Sequence, residues 1–271
     1  MATKKRSPSS SDLSSWVDSL QSQGLYYFTR DQALNTLLTS DTAFKKAAAR
    51  LALKKRIVRV HRGFFSIIPL EYAASGILPA EWFIADLMSY FGKPYYVGLL
   101  SAATLHGAAH QQPQEFHVIT TAPLRRIQVK NLSIHFFTKK NIAATPTAQV
   151  KVQTGFIPLS TPEATALDLV CYSKAIGGLD RVLTVLQELG EAMDGKKLVA
   201  AAVADGNLAY AQRLGWLLEI AGFLMIAGKL AKWVAERRPL PAKLEPSLST
   251  RGCKKNDRWS LLINTQVESD L

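Results

Sequence analysis

The sequence has few of the features that mark secreted, membrane-spanning or disulfide-bonded proteins. Its two cysteines, Cys171 and Cys253, stand far apart in 271 residues, so cysteine can build neither a disulfide framework nor a four-ligand zinc site. The longest apolar stretch, residues 214–231, is interrupted by Glu219 and Lys229 and falls short of the roughly 20 apolar residues that span a membrane. The basic N-terminus has no apolar segment behind it. We therefore expect no secretory signal, no membrane partner and a cytoplasmic location.

Signatures of enzyme chemistry are also scarce. There is no Gly-x-Ser-x-Gly elbow, no His-Glu-x-x-His and no Gly-x-Gly-x-x-Gly. Residues 190–197 have the spacing of a phosphate loop but end in lysine where Ser or Thr would bind magnesium, which indicates a helix end and a turn. His106 and His110 have no nearby carboxylate, and Glu163 and Asp168 stand about 140° apart on one helix. We expect no catalytic residue, no metal site and no cofactor, and a structural hydrogen bond for Asp168.

The positive charge of the chain is concentrated at its N-terminal end. The 33 basic and 21 acidic residues give a net charge of +12. Residues 1–70 hold 12 of the basic and 4 of the acidic residues, a net +8 in a quarter of the chain. A concentrated basic region favours a polyanionic partner, with nucleic acid first and an anionic membrane second. A solvated, solubilising surface is the alternative.

The first 70 residues predict three short helices and a hairpin after a disordered basic tail, residues 1–11. A helical period runs from Leu13 to Leu20, and Thr29 is placed to cap a second helix. Ser40 or Asp41 is placed to cap the third. Within residues 57–68, two β-forming segments flank His61-Arg62-Gly63, and this pattern is typical of a hairpin with a tight turn. Three helices followed by a hairpin predict a winged helix-turn-helix.

The third predicted helix has two unlike faces. At 100° per residue, Phe44, Ala48 and Leu51 share an apolar face, and the opposite face carries cations and a hydroxyl among small residues. Lys and Arg reach phosphates or guanine edges, and Thr contacts a phosphate or a base. The hairpin would place further cations near a neighbouring backbone or minor groove. The predicted DNA-binding residues are Thr42, Lys45, Lys46, Arg50, Arg59, His61 and Arg62.

The rest of the chain predicts a mixed α/β domain. Residues 71–80 read as a linker, and residues 81–271 predict helices at 81–91, from about 99, at 162–173, 179–189, 195–204 and 208–227 or longer. Strands are expected at 115–121, 126–130 and 132–138, with a further extended segment at 150–158. Residues 238–271 are expected to be irregular, with one strand near 259–264. The predicted fold class is α+β: a winged helix-turn-helix at residues 12–70, then a C-terminal domain with a small sheet and several helices.

Three segments, in this order, resemble motifs of the AbiEi antitoxins of type IV toxin–antitoxin systems, which are prokaryotic phage-defence modules. They are Arg62-Gly-Phe-Phe-Ser-Ile-Ile-Pro69, the segment Tyr95-Tyr-Val-Gly-Leu-Leu-Ser-Ala-Ala-Thr-Leu-His-Gly107 with His117-Val-Ile-Thr120 behind it, and Ile157-Pro-Leu-Ser-Thr-Pro-Glu-Ala-Thr-Ala-Leu-Asp-Leu169. The resemblance extends over roughly residues 15–225. It implies a non-enzymatic repressor whose N-terminal winged helix binds inverted repeats of double-stranded DNA in its own promoter, with two copies of a monomeric protein on the operator. It also implies a C-terminal domain that counters a cognate nucleotidyltransferase toxin without requiring a stable toxin–antitoxin complex.

Three other functions stay open at this point. The chain could be a stand-alone winged-helix transcriptional regulator, because some relatives act in that way. The C-terminal domain could be an enzyme that the winged helix brings to DNA, although it lacks a carboxylate cluster and a phosphate loop. A module that binds only other proteins is the third possibility, since many winged helices do so.

Overall fold

The computed structural model describes residues 12–108 and 115–269. The predicted basic tail and His110 lie outside these ranges. The fold is mixed α+β and divides into two compact units. The first unit contains the described residues up to Lys93 together with Arg125–His135 and Lys151–Ile157, and the second contains the rest. The helices of the described residues lack the length and apolar composition needed to cross a membrane.

The described residues form ten α-helices and twelve strands. The helices are α1 Leu13–Ser22, α2 Arg30–Leu37, α3 Asp41–Leu53, α4 Ile84–Phe91, α5 Leu99–Leu105, α6 Pro162–Cys171, α7 Gly178–Leu189, α8 Gly195–Asp205, α9 Leu208–Ile220 and α10 Leu224–Glu236. The strands are β1 Tyr27–Thr29, β2 Ile57–His61, β3 Phe64–Ile67, β4 Tyr95–Val97, β5 Glu115–Thr120, β6 Ile127–Val129, β7 Leu132–Thr138, β8 Thr147–Val152, β9 Gly155–Ser160, β10 Ala242–Lys243, β11 Lys254–Asn256 and β12 Leu261–Ile263. Single 3₁₀ turns occupy Leu70–Tyr72 and Ala80–Trp82 on either side of most of the predicted linker.

The helix starts of the first unit follow from side chains that satisfy free backbone N–H groups. Asp12 accepts a hydrogen bond from the Ser15 N–H at the start of α1. Thr29 forms a reciprocal capping box with Gln32 at the start of α2. Ser40 accepts from the Ala43 N–H at the start of α3, which confirms the predicted caps Thr29 and Ser40.

Aromatic rings form the core between α1–α3 and the first sheet, in which β3 lies between β1 and β2. Phe28 of β1 stacks on Phe65 of β3 with ring centroids 5.2 Å apart. Phe44 of α3 meets Phe65 edge-on at 5.7 Å. Each such ring contributes about 1.5–3 kcal/mol by leaving water. This packing fixes which face of α3 points inward.

The second unit combines a sheet with a helical core. Its strands are hydrogen-bonded in the order β7-β5-β4-β9-β8, and β4 runs antiparallel to β5 and parallel to β9. Leucines and alanines of α6–α10 pack into one apolar cluster with Trp259. A Cβ atom on Gly215 of α9 would lie 2.0 Å from the Trp259 ring, so glycine is required for this close approach.

One prediction about the second half is wrong and two are incomplete. The extended segment 150–158 comprises the end of β8 and the start of β9, and residues 153–154 form the turn between them that the sequence reading missed. The helix at 208–227 is two helices: Gly222 has a left-handed backbone with φ of 94°, and the Phe223 N–H returns to the Leu218 carbonyl. Residues 238–269 are largely irregular as expected, and the strand predicted near 259–264 is β12, but β10 and β11 join it in an unpredicted three-stranded sheet of order β10-β12-β11.

Candidate nucleic-acid interface

The predicted outer face of α3 is exposed to solvent. Thr42, Lys45, Lys46 and Arg50 are exposed, whereas Phe44, Ala48 and Leu51 are buried. The burial pattern has the helical period of the sequence and confirms the expected orientation of the helix. Helix α3 therefore presents three cations and a hydroxyl on one accessible face.

An aspartate at the start of α3 binds one of these cations. Asp41 Oδ2 lies 2.7 Å from Lys45 Nζ, and Asp41 Oδ1 accepts a hydrogen bond from Arg30 Nε at 2.8 Å. The hydrogen bonds from Lys45 and Arg30 lower the pKa of the Asp41 carboxyl. Lys46 and Arg50 have no ion-pair partner within the described residues. A polyanion approaching α3 would meet Lys46 and Arg50 without ion-pair partners, whereas Lys45 would have to exchange Asp41 for the polyanion.

The hairpin of β2 and β3 is held by α4. The Tyr90 hydroxyl donates a hydrogen bond to the Arg62 carbonyl at 3.0 Å, and the His61 ring packs edge-on against Phe91 at 4.9 Å. A Cβ atom on Gly63, whose φ is 80°, would lie 2.6 Å from the Tyr90 hydroxyl oxygen. The hairpin exposes three basic residues, Arg59, His61 and Arg62. The ring of His61 also packs against α4. No local sequence pattern predicts this support, because Tyr90 lies 28 residues from Arg62.

A second contact of α4 joins it to the first sheet. Asp86 on α4 and Tyr27 on β1 interact electrostatically, since burial and the Asp86 charge both raise the pKa of the Tyr27 hydroxyl. Burial raises the pKa of Asp86 to about 6, against the opposing effect of the Tyr27 hydroxyl. The Tyr27 ring also stacks on Phe64 of β3 with centroids 5.3 Å apart. Asp86 therefore carries a titratable charge behind the hairpin.

The Asp86→Asn variant should stabilise the first unit at neutral pH. The folded pKa of about 6 lies above the unfolded value of 3.8, so this carboxyl lowers stability as pH rises from 4 to 6 and keeps it lower above 6. A two-unit shift corresponds to roughly 3 kcal/mol, which partial solvent contact reduces to about 1–2 kcal/mol. Urea unfolding followed by hydrogen exchange of the β1–β3 amides at pH 4 and pH 8 measures the difference. Equal stability of variant and wild type at pH 8 would show that Asp86 is not destabilising.

Residues 96–220 match the family model described as the AbiEi antitoxin C-terminal domain. The chain carries an AbiEi antitoxin domain. This match confirms the resemblance drawn from the motifs between Tyr95 and Leu169. A search of curated proteins found no match to the chain.

The fold of the whole chain is shared with a solved structure. The crystal structure of the RV2827C protein from Mycobacterium tuberculosis is similar, with a TM-score of 0.65. The similarity covers 99% of this chain and 94% of that chain at 15% sequence identity. At this identity the comparison establishes the shared fold.

The AbiEi domain contains a buried cluster of charges. Asp168 of α6 is fully buried, accepts a hydrogen bond from the Tyr96 hydroxyl at 2.8 Å and lies 2.9 Å from Lys139 Nζ. Lys139 Nζ also lies 3.0 Å from Asp205 Oδ1 at the end of α8. Burial opposes the Lys139 ammonium, but the two carboxylates outweigh it and raise its pKa. This cluster joins β4, α6, α8 and the end of β7, and it confirms the predicted structural hydrogen bond of Asp168.

The other residues considered for chemistry in the AbiEi domain make structural contacts. The Glu163 carboxylate accepts a hydrogen bond from the Asp194 N–H at 2.9 Å and so links α6 to the start of α8. Helix α7 ends before Gly190, and residues 190–192 form a 3₁₀ turn, which confirms the interpretation of the segment 190–197 as a helix end and a turn. Asp194 then caps the start of α8. His106 Nε2 lies 2.7 Å from the Ser160 carbonyl oxygen. The buried cluster of Tyr96, Lys139, Asp168 and Asp205 was not predicted from the sequence.

Proposed function

We propose that residues 12–70 form a winged helix-turn-helix that binds double-stranded DNA, followed by a linker at 71–80 and the antitoxin domain at 81–271. The exposed cationic face of α3 carries the proposal, since it lies on a short helix that α1 and α2 pack against from behind. Lys46 and Arg50 are free of ion pairs within the described residues, and Arg59 and Arg62 extend the charge onto the hairpin. Cations of this kind bind phosphates and read guanine edges.

The biological role that we infer is autorepression combined with antitoxin activity. The AbiEi domain supports a role as the antitoxin of a toxin–antitoxin pair. We propose that the toxin is a nucleotidyltransferase that this domain counters without a stable complex. We further propose that two monomers meet on inverted repeats in the promoter of their own operon. A stand-alone regulator would bind the same DNA and leave such a toxin active.

The DNA-binding half is tested with the duplex that lies upstream of the gene encoding this chain. Wild-type protein is expected to bind it more tightly than a scrambled duplex of the same composition. The Asp41→Asn variant should bind about threefold to tenfold more tightly than wild type, because it removes the carboxylate that competes with phosphate for Lys45. Fluorescence anisotropy at 0.1 M salt gives both ratios.

The matched control for this variant is Asp31→Asn. Asp31 contacts Arg30 but not Lys45, so its loss should change the affinity less. Equal affinity for upstream and scrambled DNA would contradict an operator-binding role, and weaker binding by Asp41→Asn would contradict the assigned face.

The antitoxin half is tested in cells. A nucleotidyltransferase encoded beside this gene should stop growth when expressed alone, and co-expression of the full chain from an unrelated promoter should restore growth. The unrelated promoter separates neutralisation from repression. If the chain represses the promoter of its own operon but does not restore growth, it is a stand-alone regulator.

A further inference from the structure

A second cluster of cations lies in the first unit, beside the end of α3. A cavity of about 280 Å³ is lined by Lys55, Arg59 and Lys130 together with Ala52, Ile68, Ser75 and their neighbours. Among the described residues, the lining contains no acidic residue and the three cations form no ion pair. The cavity thus combines a charge of +3 with no counter-ion from the described part of the chain.

Lys130 comes from a distant part of the sequence. It lies in the turn between β6 and β7, which form an antiparallel hairpin within the first unit, and β6 packs beside β2. Its Cε atom would be 3.7 Å from a Cβ atom on Gly76, so the aliphatic part of the side chain runs along the backbone of the 74–76 loop. Lys130 thereby adds a cation to a surface otherwise built by residues 52–76.

Two of the three cations occupy backbone positions that disfavour lysine. Lys55 has φ of 55° and follows α3 at the site where a helix end with these hydrogen bonds usually has glycine, since the Arg56 N–H bonds the Leu51 carbonyl at 2.9 Å. Lys130 has φ of 54° in its turn. Glycine or asparagine adopts such a backbone at lower cost. Strained positions of this kind cluster at functional sites.

We propose that Lys55, Arg59 and Lys130 bind backbone phosphates of the DNA that contacts α3. This inference rests on the proposed DNA-binding function and extends its surface to the β6–β7 turn. Three cations with no acid and no amide side chain beside them suit the charge of phosphodiesters, and contacts to phosphates carry no sequence information. The site would therefore add affinity without adding sequence preference.

The test is the double variant Lys55→Gly, Lys130→Gly in the full chain. Glycine relieves the left-handed backbone at both positions, so the melting temperature should be unchanged or higher. Loss of two phosphate contacts should reduce the dependence of log K on log salt by about 1.8 and weaken binding by roughly tenfold or more at 0.1 M salt. The loss should be equal for upstream and scrambled DNA.

A charge-matched control removes Lys197 and Lys232, two exposed lysines of the second unit, and should leave the affinity at the wild-type value. If the glycine pair lowers the melting temperature, the asparagine pair repeats the test with a residue that also tolerates a left-handed backbone. Unchanged affinity and salt dependence would overturn this proposal while leaving α3 as the DNA-binding face. Absence of DNA binding by the wild type would instead overturn the proposed function itself.

Discussion

Alanine at Lys45, Lys46 and Arg50 should weaken binding to the upstream duplex about 10²–10³-fold at 0.1 M salt. Each phosphate contact contributes about 0.9 to the slope of log K against log salt, so three lost contacts amount to roughly 2.7 decades between 1 M and 0.1 M salt. Alanine is a better helix former than either residue, and the exposed Lys45–Asp41 pair is worth only a few tenths of a kcal/mol. The variant should therefore keep the fold of the first unit.

The control for this triple variant is alanine at Lys196, Lys197 and Lys232, which removes the same charge from exposed positions of α8 and α10. It should bind DNA within about threefold of wild type, because these lysines are not part of the proposed DNA-binding surface. Circular dichroism checks that both variants are folded. A triple α3 variant that binds DNA as wild type does would exclude this face as the interface.

The Lys139→Ala variant should destabilise the second unit by about 3–5 kcal/mol. Removing Lys139 leaves Asp168 fully buried and Asp205 nearly so without their shared cation, and an uncompensated buried charge has a cost of this size. For a unit of this length the loss corresponds to roughly 6–20 °C in melting temperature. We expect the same variant to fail in neutralising the toxin, because too little folded domain would remain.

Two comparisons separate a charge effect from a packing effect in this variant. The combination of Lys139→Met, Asp168→Asn and Asp205→Asn removes every charge of the cluster and should recover at least half of the lost stability. Acid should also reduce the difference in free energy of unfolding between Lys139→Ala and wild type. Burial raises the pKa of Asp168, so a fold without Lys139 is favoured when this carboxyl is protonated. If Lys139→Ala lost less than about 1 kcal/mol of stability, or if its stability difference from wild type grew in acid, the ion pairs would not be what stabilises the cluster.

Local signals made much of the first unit predictable from sequence. The side chains that cap α2 and α3, Thr29 and Ser40, bond backbone groups three residues away. The inward face of α3 follows from the spacing of Phe44, Ala48 and Leu51 alone. Helical period and capping are both set within one or two turns, so a single sequence contains them.

Long-range contacts could not be predicted in the same way. Tyr96 and Asp168 are separated by 72 residues, and Lys139 and Asp168 by 29. Lys130 joins the cations of the first unit only because the chain returns to that unit after forming β5. No periodicity specifies which distant strands and turns meet, since strand pairing depends on the packing of the whole unit.

The break between α9 and α10 had a local signal that an apolar pattern outweighed. Gly222 ends α9 with a left-handed backbone, as glycines at helix ends commonly do. The apolar residues on both sides continue with helical spacing, which favoured one long helix. Gly222 is therefore the local signal that marks the end of α9, although it lies inside an apolar helical period.

The most direct test of the account is the salt dependence of wild-type binding to the upstream duplex. If Lys45, Lys46, Arg50, Arg59 and Arg62 each neutralise a phosphate, log K per bound monomer should fall with log salt with a slope of about −4.5, and the further contacts of Lys55 and Lys130 steepen it to about −6.3. Anisotropy titrations between 0.05 and 0.4 M salt, roughly the range where this relation holds, give the slope. A slope between about −4.5 and −6.3 would support DNA binding by the cationic surface of the first unit. A slope shallower than about −1, or no binding at all, would contradict it.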